Sequence, residues 1–273
     1  MSIKKFLEDT IKEDIGRGDL FARVVTPSDA KAKIIAKSDG VLAGVEYINE
    51  LINMYDISFK WYFNDGDRFK IGDKLVDIEG KNTTILSLER TILNIIHHTS
   101  SIATLTAKFV DIIRDRDVKL LDTRKTRPLL RELEKYAVRC GGGINHRFGL
   151  DDSLMLKDTH LKTIKDLDVF MKNARKQIPF TSKIEIECED IDMVREACRV
   201  GADIIMCDNM SIDEIKEVVE FRNKNYPHIL LEASGNVTLE SISEIATTGV
   251  DAISTGSTIH QSNWIDLSMK VVD

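Results

Sequence analysis

Short apolar runs alternate with segments of helical periodicity in the second half of the chain, and this alternation constrains the fold more than any other feature. The apolar runs predict strands at 118–121, 153–157, 183–188, 203–207, 228–232 and 251–254. The periodic segments predict helices at 128–139, 163–176, 190–200, 211–224 and 238–248. Six strands, each followed by a helix or a loop, fit a parallel α/β barrel or a doubly wound sheet.

The residues at the strand ends discriminate between these two folds. Every predicted strand ends in charged residues or in small residues (Ser, Thr, Gly) that can bind phosphate, at 122–125, 157–158, 187, 208–209, 232–235 and 254–257. In an open sheet the site lies at one switch point, so distant strands need not contribute to it. In a barrel all strand ends surround one opening. The even distribution of these groups therefore favours a barrel.

The first 85 residues or so show a different pattern. Apolar residues at helical spacing predict an opening amphipathic helix over 3–15, which Gly16 and Gly18 end. A strand is expected at 30–38, a helix over 45–55, and a strand at 57–63, where apolar and polar residues alternate. Helix and strand mix here without βαβ alternation, which predicts a small α+β domain.

A long apolar-periodic stretch follows at 87–113, and the polar residues at 97–101 divide it. We expect two consecutive helices there. His97 and His98 lie beside this break and raise the question of a metal site. Neighbouring residues on a helix point about 100° apart, so two adjacent histidines do not readily hold one ion. We expect both to be structural or interfacial.

Composition excludes several classes of protein. Of the 273 residues, 42% are hydrophobic and 30% charged, as in ordinary globular proteins, and the net charge of −7 argues against general nucleic-acid binding. The four cysteines (140, 188, 198 and 207) show no C-x-x-C spacing, which is typical of reduced thiols in a cytoplasmic protein. The charged first ten residues do not resemble a signal peptide, and no apolar run approaches the roughly 20 residues of a membrane helix. We expect a cytoplasmic protein without nucleic-acid or membrane partners.

A local basic cluster lies within this acidic molecule, between residues 122 and 160. Its cationic members are Arg124, Lys125, His146, Arg147 and Lys157. Arginine pairs bidentately with carboxylate or phosphate, and the glycines at 141–143 allow backbone to approach a ligand closely. A solvated loop would explain the charges alone. The triple glycine and the placement at strand ends favour a site for a multiply anionic ligand.

Acidic residues end three other predicted strands, namely Glu187, Asp208 and Glu232. Carboxylates at a barrel opening can hold sugar hydroxyls or hydrated Mg²⁺, or stabilise an oxocarbenium-like transition state. Glu185 and Glu189 flank Glu187 with the alternation of an exposed strand face. We expect function at Glu187, because it lies at the strand end.

The last two predicted strands end in small residues suited to phosphate. These are Ser234 with Gly235 and Gly256 with Ser257. Loops after late barrel strands commonly bind phosphate through backbone N–H groups. A substrate with carboxylates, ribose hydroxyls and phosphates would match the cationic, acidic and small-residue sets together.

Seven segments carry a resemblance to a known family: DTRKT, EKYAVRCGGGINHR, LKDTH, EIE, CDN, EASGN and TGVDAISTGS. Together they resemble the quinolinate phosphoribosyltransferases, and the likeness extends from EDIGRGDL at 13–20 through LERTILN at 88–94 to the C-terminus. The resemblance implies an N-terminal α/β sandwich domain (1–103) and an incomplete seven-stranded α/β barrel (104–261). Residues 262–273 are then expected to pack back on the first domain. It also implies a head-to-tail homodimer, with hexamers in some members.

The resemblance further implies an activity. Quinolinate would react with phosphoribosyl pyrophosphate and Mg²⁺ to give nicotinate mononucleotide, pyrophosphate and CO₂ in de novo NAD biosynthesis. Residues implied to surround quinolinate are Arg124, His146, Arg147 and Lys157, with Arg90 inserted from the neighbouring subunit. Residues implied near the ribose, pyrophosphate and metal are Lys125, Glu187, Asp208 and Glu232; Glu187 and Asp208 would hold the metal directly or through water. Residues implied at the 5′-phosphate are Ser234, Gly235, Gly256 and Ser257. Thr123 and Asn236 are also implied to bind substrate. The implied catalytic residues are Lys125, Lys157, Glu187 and Asp208.

Three positions depart from the family pattern without replacing a charged site residue. Arg127 and Leu129 stand where the family often has threonine and glycine, and Ser101 where glycine is common. Two other readings remain open: a homologue of the same fold tied to molybdate transport, and a non-catalytic binding barrel. The intact DTRKT and NHR motifs and the complete set of opposed charges favour the enzyme.

Overall fold

The computed structural model describes residues 2–272. The helices are α1 (Ile3–Ile15), α2 (Leu20–Val24), α3 (Val45–Asn49), α4 (Asn82–Ile113), α5 (Arg131–Cys140), α6 (Asp158–Leu161), α7 (Leu167–Gln177), α8 (Ile191–Arg199), α9 (Ile212–Asn225), α10 (Ile242–Ile245) and α11 (Ser257–His260). The strands are β1 (Asp29–Ala36), β2 (Gly40–Val41), β3 (Ile57–Trp61), β4 (Arg68–Phe69), β5 (Lys74–Lys81), β6 (Lys119–Leu121), β7 (Leu154–Leu156), β8 (Ile184–Cys188), β9 (Ile204–Asp208), β10 (Leu230–Ser234), β11 (Ala252–Ser254) and β12 (Leu267–Val272).

The described chain divides into two compact units. The first unit spans residues 2–107, 128–142 and 261–272, and the second spans 108–127 and 143–260. Helix α5 therefore belongs to the first unit, although in sequence it lies between strands of the second.

The first unit is built on an antiparallel sheet with strand order β12-β1-β5-β3. The C-terminal strand β12 pairs with β1, with Ala36 opposite Leu267 and Lys31 opposite Val272. Helix α1 begins as predicted, because the Ser2 side chain accepts the N–H of Lys5, and it ends at Gly16, whose φ is 57°. The mixed helix and antiparallel strand predicted for this region are confirmed.

Helix α4 corrects the prediction of two helices between 87 and 113, because it is continuous through the polar residues 97–101. The Thr99 and Ser101 hydroxyls donate to the carbonyls of Ile95 and His97 one turn earlier, at 2.7 and 2.6 Å. These bonds satisfy the hydroxyls within the helix, so a polar run does not interrupt it.

The second unit is built on a parallel sheet with strand order β6-β11-β10-β9-β8-β7. Ile144 adds a single parallel bridge to Leu121 of β6. The predicted strands are confirmed to within two residues at either end, and their central residues, such as Ile186, Ile205 and Leu231, are buried. A parallel sheet with helices between its strands directs all strand C-termini to one edge.

Four helices are shorter than the sequence predicts. Helix α3 ends at Asn49 of the predicted 45–55 and is followed by a 3-10 turn over Glu50–Asn53. Helix α5 begins at Arg131 rather than Pro128, because Leu129 takes a left-handed conformation with φ of 65°. Helix α7 begins only after Asp166, whose side chain caps it by accepting the N–H of Val169. Helix α10 covers only Ile242–Ile245 of the predicted 238–248. Helix α9, by contrast, has the predicted capping box between Ser211 and Glu214.

Two further expectations concern the whole chain. Cys140, Cys188, Cys198 and Cys207 are all free thiols. Among residues 2–272, no helix combines the length and apolar character that crossing a membrane requires.

Candidate functional site

The C-terminal edge of the parallel sheet brings together most of the predicted site residues. Arg124 and Lys125 follow β6, Lys157 follows β7, and Asp208 is the last residue of β9. Alternate residues of a strand share one face, so Glu185 and Glu187 of β8 point the same way. The cations and acids predicted at the strand ends thus belong to one edge of one sheet.

Asp122 anchors the loop that carries two of the cations. Its side chain is fully buried, and it accepts the Asn145 side-chain amide at 2.6 Å and the His146 main-chain N–H at 2.9 Å. The end of β6 is thereby tied to residues 145–147. Sequence reasoning placed Asp122 at a strand end but gave it no role. Its position between an apolar strand and a basic cluster was the sequence feature that could have indicated a role in the site.

Two guanidinium groups lie close to each other in this site. Arg147 is buried, and burial together with the charge of Arg124 lowers its pKa. One of its nitrogens donates to the Ser153 carbonyl at 2.8 Å. The Nε of Arg124 is buried and has no hydrogen-bond partner within residues 2–272. Two cations in mutual repulsion, one with an unused donor, are suited to holding an anion.

Lys157 and Glu187 form an ion pair across neighbouring strands. The Lys157 Nζ lies 2.5 Å from Oε2 of Glu187, whose side chain is mostly buried, whereas the lysine is about half exposed. The main-chain N–H of Lys157 donates to Nδ1 of His160 at 3.0 Å, which gives His160 a structural role at the start of α6. An incoming anion would compete with Glu187 for the exposed lysine.

His146 lies between two buried glutamates. Its Nε2 is 3.2 Å from Oε2 of Glu185 and 3.3 Å from Oε2 of Glu232. Its Nδ1 accepts the Arg147 N–H at 2.7 Å. Burial opposes a charged ring, but the hydrogen bonds and charges of the two carboxylates outweigh it and raise the pKa of His146. Because Nδ1 accepts the Arg147 N–H, the ring proton that these carboxylates hold is on Nε2.

Glu185 corrects the prediction of an exposed strand face. Its exposed fraction is 0%, because β8 is an interior strand of the sheet and every one of its residues is buried. Burial raises its pKa, an effect that His146 partly offsets. Alternating glutamates on the inner face of a parallel sheet have the same sequence pattern as an exposed strand.

The ligand atoms of His146, Glu185 and Glu232 lie within 4.8 Å of one another, a spacing that a metal ion could bridge. The hydrogen bonds do not fit one. A metal on Nε2 would displace the ring proton from that atom. The neutral ring would then carry its proton on Nδ1. That atom already receives the Arg147 N–H, so two donors would face each other.

Glu187 and Asp208 offer a donor set that fits Mg²⁺ better. Glu187 is paired in register with Met206 of β9, so Asp208, two residues later, projects from the same face. Both supply the hard oxygen ligands that Mg²⁺ prefers. One oxygen of Glu187 contacts Lys157, and one oxygen of Asp208 accepts the Asn209 amide at 3.0 Å. A magnesium ion that keeps several waters would suit such partly engaged carboxylates.

The loops after β9 and β10 have unusual backbone conformations. Asn209, Gly235 and Asn236 all have positive φ, of 55°, 98° and 50°. The Asn236 side chain donates to Oδ1 of Asn209 at 3.0 Å, and a Cβ on Gly235 would lie 2.3 Å from that same oxygen. Only glycine fits at 235, because its position is both left-handed and closed by Asn209.

The loop after β11 is linked to this arrangement. The Ser254 hydroxyl donates to that of Ser234 at 3.0 Å, and the Ser257 hydroxyl donates to the Val237 carbonyl at 3.3 Å. A Cβ on Gly256 would meet Cδ of Lys125 at 3.1 Å. The small residues predicted to bind phosphate therefore form connected loops beside Lys125.

Other predicted residues have separate surroundings. Thr123 accepts the Lys125 N–H at 3.0 Å and shapes the turn after β6. Arg90 is exposed on α4 of the first unit and is not one of the strand-end residues.

His98 and His97 also lie on α4. His98 contacts Glu134 at 3.0 Å, and His97 contacts the main chain of Leu267 at 3.2 Å. Both histidines are buried and structural, as expected.

Comparison with known proteins gives consistent matches over the whole chain. Residues 19–100 match the N-terminal domain model, and residues 102–270 the C-terminal domain model, of quinolinate phosphoribosyl transferase. The chain is 40% identical over 274 residues to a probable nicotinate-nucleotide pyrophosphorylase (carboxylating) of Bacillus subtilis, covering 99% of this chain and 94% of that one. A similarly named protein of Methanocaldococcus jannaschii is 38% identical, with 98% and 96% covered.

A solved structure is also similar over the whole chain. The nicotinate-nucleotide pyrophosphorylase of Francisella tularensis superimposes with a TM-score of 0.92 at 36% identity, covering 99% of this chain and 96% of that one. The shared architecture is the parallel α/β sheet with an additional antiparallel sheet.

Proposed function

Because the chain belongs to the quinolinate phosphoribosyltransferase family, we propose that it transfers the phosphoribosyl group of phosphoribosyl pyrophosphate to quinolinate. The products are nicotinate mononucleotide, pyrophosphate and CO₂, a step of NAD biosynthesis. The observation that carries this proposal is the pair of neighbouring guanidinium groups of Arg124 and Arg147. Arg147 is buried, burial and the charge of Arg124 lower its pKa, and the buried Nε of Arg124 has no hydrogen-bond partner within residues 2–272.

The two quinolinate carboxylates would bind to Arg124, Arg147 and Lys157. Arg124 can donate its unused Nε–H to a carboxylate. The main-chain N–H of Arg147 is already fixed by its hydrogen bond to Nδ1 of His146. Lys157 would exchange Glu187 for a substrate carboxylate or be shared between them. Charge-assisted pairs of this kind fix orientation as well as affinity, so the ring nitrogen is directed toward the sugar.

The acids would act on the ribose side. Glu187 and Asp208 would hold sugar hydroxyls and Mg²⁺, since phosphoribosyltransferases generally use a divalent metal. When bound, the ion neutralises the charge that develops on departing pyrophosphate. Lys125, whose stem lies against Gly256, would contribute a second positive charge on that side. Glu232 lies behind these groups, beside His146.

The phosphate of the phosphoribosyl group would bind to the connected loops after β10 and β11. Ser234, Gly235 and Asn236 belong to one loop, and Gly256 and Ser257 to the other. Gly235 and Asn236 both have left-handed backbone, and turns that contain such residues commonly bind anions through main-chain N–H groups.

The reaction itself needs orientation and charge more than a nucleophilic side chain. The bond from the pyridine nitrogen to C1 of the sugar forms as the bond from C1 to pyrophosphate breaks. The pyridinium charge then stabilises the electron pair left on the ring when the adjacent carboxylate departs as CO₂, and a proton replaces it. Cationic side chains beside the ring hold the anionic groups in place through both steps.

We further propose a cytoplasmic homo-oligomer in which Arg90 of one subunit reaches the strand-end site of its partner. Arg90 is exposed on α4 and therefore available to such a contact.

Release of labelled CO₂ from carboxyl-labelled quinolinate tests the function directly. The purified protein should release it only when phosphoribosyl pyrophosphate and Mg²⁺ are both present. A homologue tied to molybdate transport, or a non-catalytic barrel, would release none under the same conditions.

A further inference from the structure

The imidazole of His146 is engaged at both ring nitrogens, which is unusual for a residue expected to contact a substrate directly. Nε2 lies between Glu185 and Glu232, at 3.2 and 3.3 Å, and Nδ1 accepts the N–H of Arg147 at 2.7 Å. The ring thus connects two buried acids to the main chain of a site arginine. Its position is suited to fixing Arg147 in place.

Glu185 is the least satisfied member of this cluster. It is fully buried, and within residues 2–272 neither of its carboxylate oxygens has a directed hydrogen-bond partner. Its contacts are electrostatic, with Nε2 of His146 and with the Arg147 guanidinium, whose pKa it acts to raise. A buried acid with so few partners destabilises a fold compared with an apolar residue of the same volume.

We propose that Glu185 is a positioning residue for substrate binding. Together with Glu232 it holds the proton on Nε2 of His146 and fixes the plane of the ring. His146 in turn holds the Arg147 main chain, so that the guanidinium faces the anionic pyridine substrate. This inference rests on the proposed function for the identity of that substrate, whereas the arrangement of the three residues does not depend on it.

The proposal predicts opposite effects on stability and on substrate binding. Glu185→Met replaces the acid with an apolar side chain of similar volume, so the melting temperature should stay the same or rise. The ring would lose one of its two acids. KM for quinolinate should then rise about tenfold or more, by analogy with the loss of activity when a metal-ligating histidine loses its orienting carboxylate. KM for phosphoribosyl pyrophosphate should change less than about twofold, because Arg147 is not placed on the ribose side.

Two variants complete the comparison. Glu189→Met, the same change at an exposed position of the same segment, should leave both KM values unchanged. Glu185→Gln keeps an oxygen that can accept from Nε2 and should recover part of the quinolinate affinity. If Glu185→Met folds with both KM values unchanged, or with both raised equally, Glu185 has no positioning role.

A measurement on the unaltered protein covers the case in which Glu185→Met fails to fold. The chain has six histidines, and the His146 signal can be assigned in ¹⁵N-histidine NMR spectra by its loss in His146→Gln. Nε2 of His146 should carry a slowly exchanging proton at neutral pH. A bare Nε2 with the proton on Nδ1 would overturn the proposal.

The NMR result is independent of catalysis, which separates the two possible failures. If the unaltered protein has the expected ring proton but releases no CO₂ from quinolinate, the proposed function is wrong and the arrangement of His146 is not. If it releases CO₂ but Nε2 is bare, the function holds and the role of Glu185 is wrong.

Discussion

Asp122 accepts the main-chain N–H of His146 at 2.9 Å, and this bond joins the end of β6 to the loop that carries Arg147. The same carboxylate accepts the Asn145 amide at 2.6 Å. A single buried acid therefore sets the position of residues 145–147 relative to Arg124, two residues beyond it in the chain. The relative placement of Arg124 and Arg147 therefore depends on the hydrogen bonds of Asp122.

We expect Asp122→Ala to affect both the fold and the site. Hydrogen bonds to charged groups contribute roughly 1.5–3 kcal/mol each, so the free energy of unfolding should fall by at least that range. KM for quinolinate should rise as the loop relaxes. Denaturant unfolding and steady-state kinetics measure the two effects, with Asp151→Ala, an exposed aspartate in the same region, as the control. A variant as stable and as active as the unaltered protein would show that residues 145–147 keep their conformation without Asp122.

Arg147→Ala or Lys157→Ala should weaken quinolinate binding far more than binding of phosphoribosyl pyrophosphate. Each change removes a charge-assisted contact of roughly 1.5–3 kcal/mol, which corresponds to a tenfold or larger loss of affinity. Calorimetry with each ligand separately measures this difference. Lys172→Ala, at an exposed position of α7, is the matched control and should change neither affinity. Equal losses for the two ligands would remove these residues from the dicarboxylate site.

Glu187→Ala and Asp208→Ala should lower turnover while quinolinate affinity is kept. Both acids are placed on the expected ribose side, and Lys157 contacts Glu187 at 2.5 Å, so removing Glu187 also frees a cation for the substrate carboxylate. Quinolinate should therefore bind to Glu187→Ala at least as tightly as before. Calorimetry beside turnover assays at saturating substrate tests this. Lost quinolinate binding with normal turnover is the pattern that contradicts it.

The strand positions and the charged strand ends were predictable from sequence, because a buried parallel strand is a short apolar run and its end is marked by polar residues. The burial of Glu185 was not, since inward and outward faces give the same alternation of glutamates. The continuity of α4 was also missed. The Thr99 and Ser101 hydroxyls donate to main-chain carbonyls of the preceding turn, a bonding pattern that spacing alone does not reveal.

The left-handed conformation of Leu129 explains why the start of α5 was predicted too early. The same conformation leads to a prediction about stability. Its φ is 65° and it is 87% exposed, so a large side chain occupies a strained position with little burial in return. Leu129→Gly should relieve about 1–2 kcal/mol of strain and lose about 0.4–1 kcal/mol to the greater freedom of the unfolded chain. The net result is a small rise in the free energy of unfolding, measurable by denaturant titration.

Leu150→Gly is the control for that change, because Leu150 is 73% exposed but has no positive φ. It should destabilise the protein slightly, through the unfolded chain alone. If both glycine variants lose the same stability, the conformation of Leu129 carries no strain.

Arg90 gives the test of the proposed composite site. It lies on α4 near buried Leu88 and Ile92, and its own side chain is exposed. An arginine whose stem covers apolar neighbours would have the same appearance, and Arg90→Ala would then change activity little. If Arg90 serves the partner's site, Arg90→Ala and Lys157→Ala should each be inactive as homodimers.

Mixing the two inactive variants after dissociation and reassociation separates these cases. In a two-fold symmetric head-to-tail dimer, one site of each mixed dimer receives both substitutions and the other receives neither. Random pairing makes about half of the dimers mixed, so about a quarter of all sites should recover CO₂ release. Mass spectrometry of the native dimers confirms that subunits have exchanged. If the exchanged mixture remains as inactive as its components, Arg90 acts within its own chain and each site is built from a single subunit.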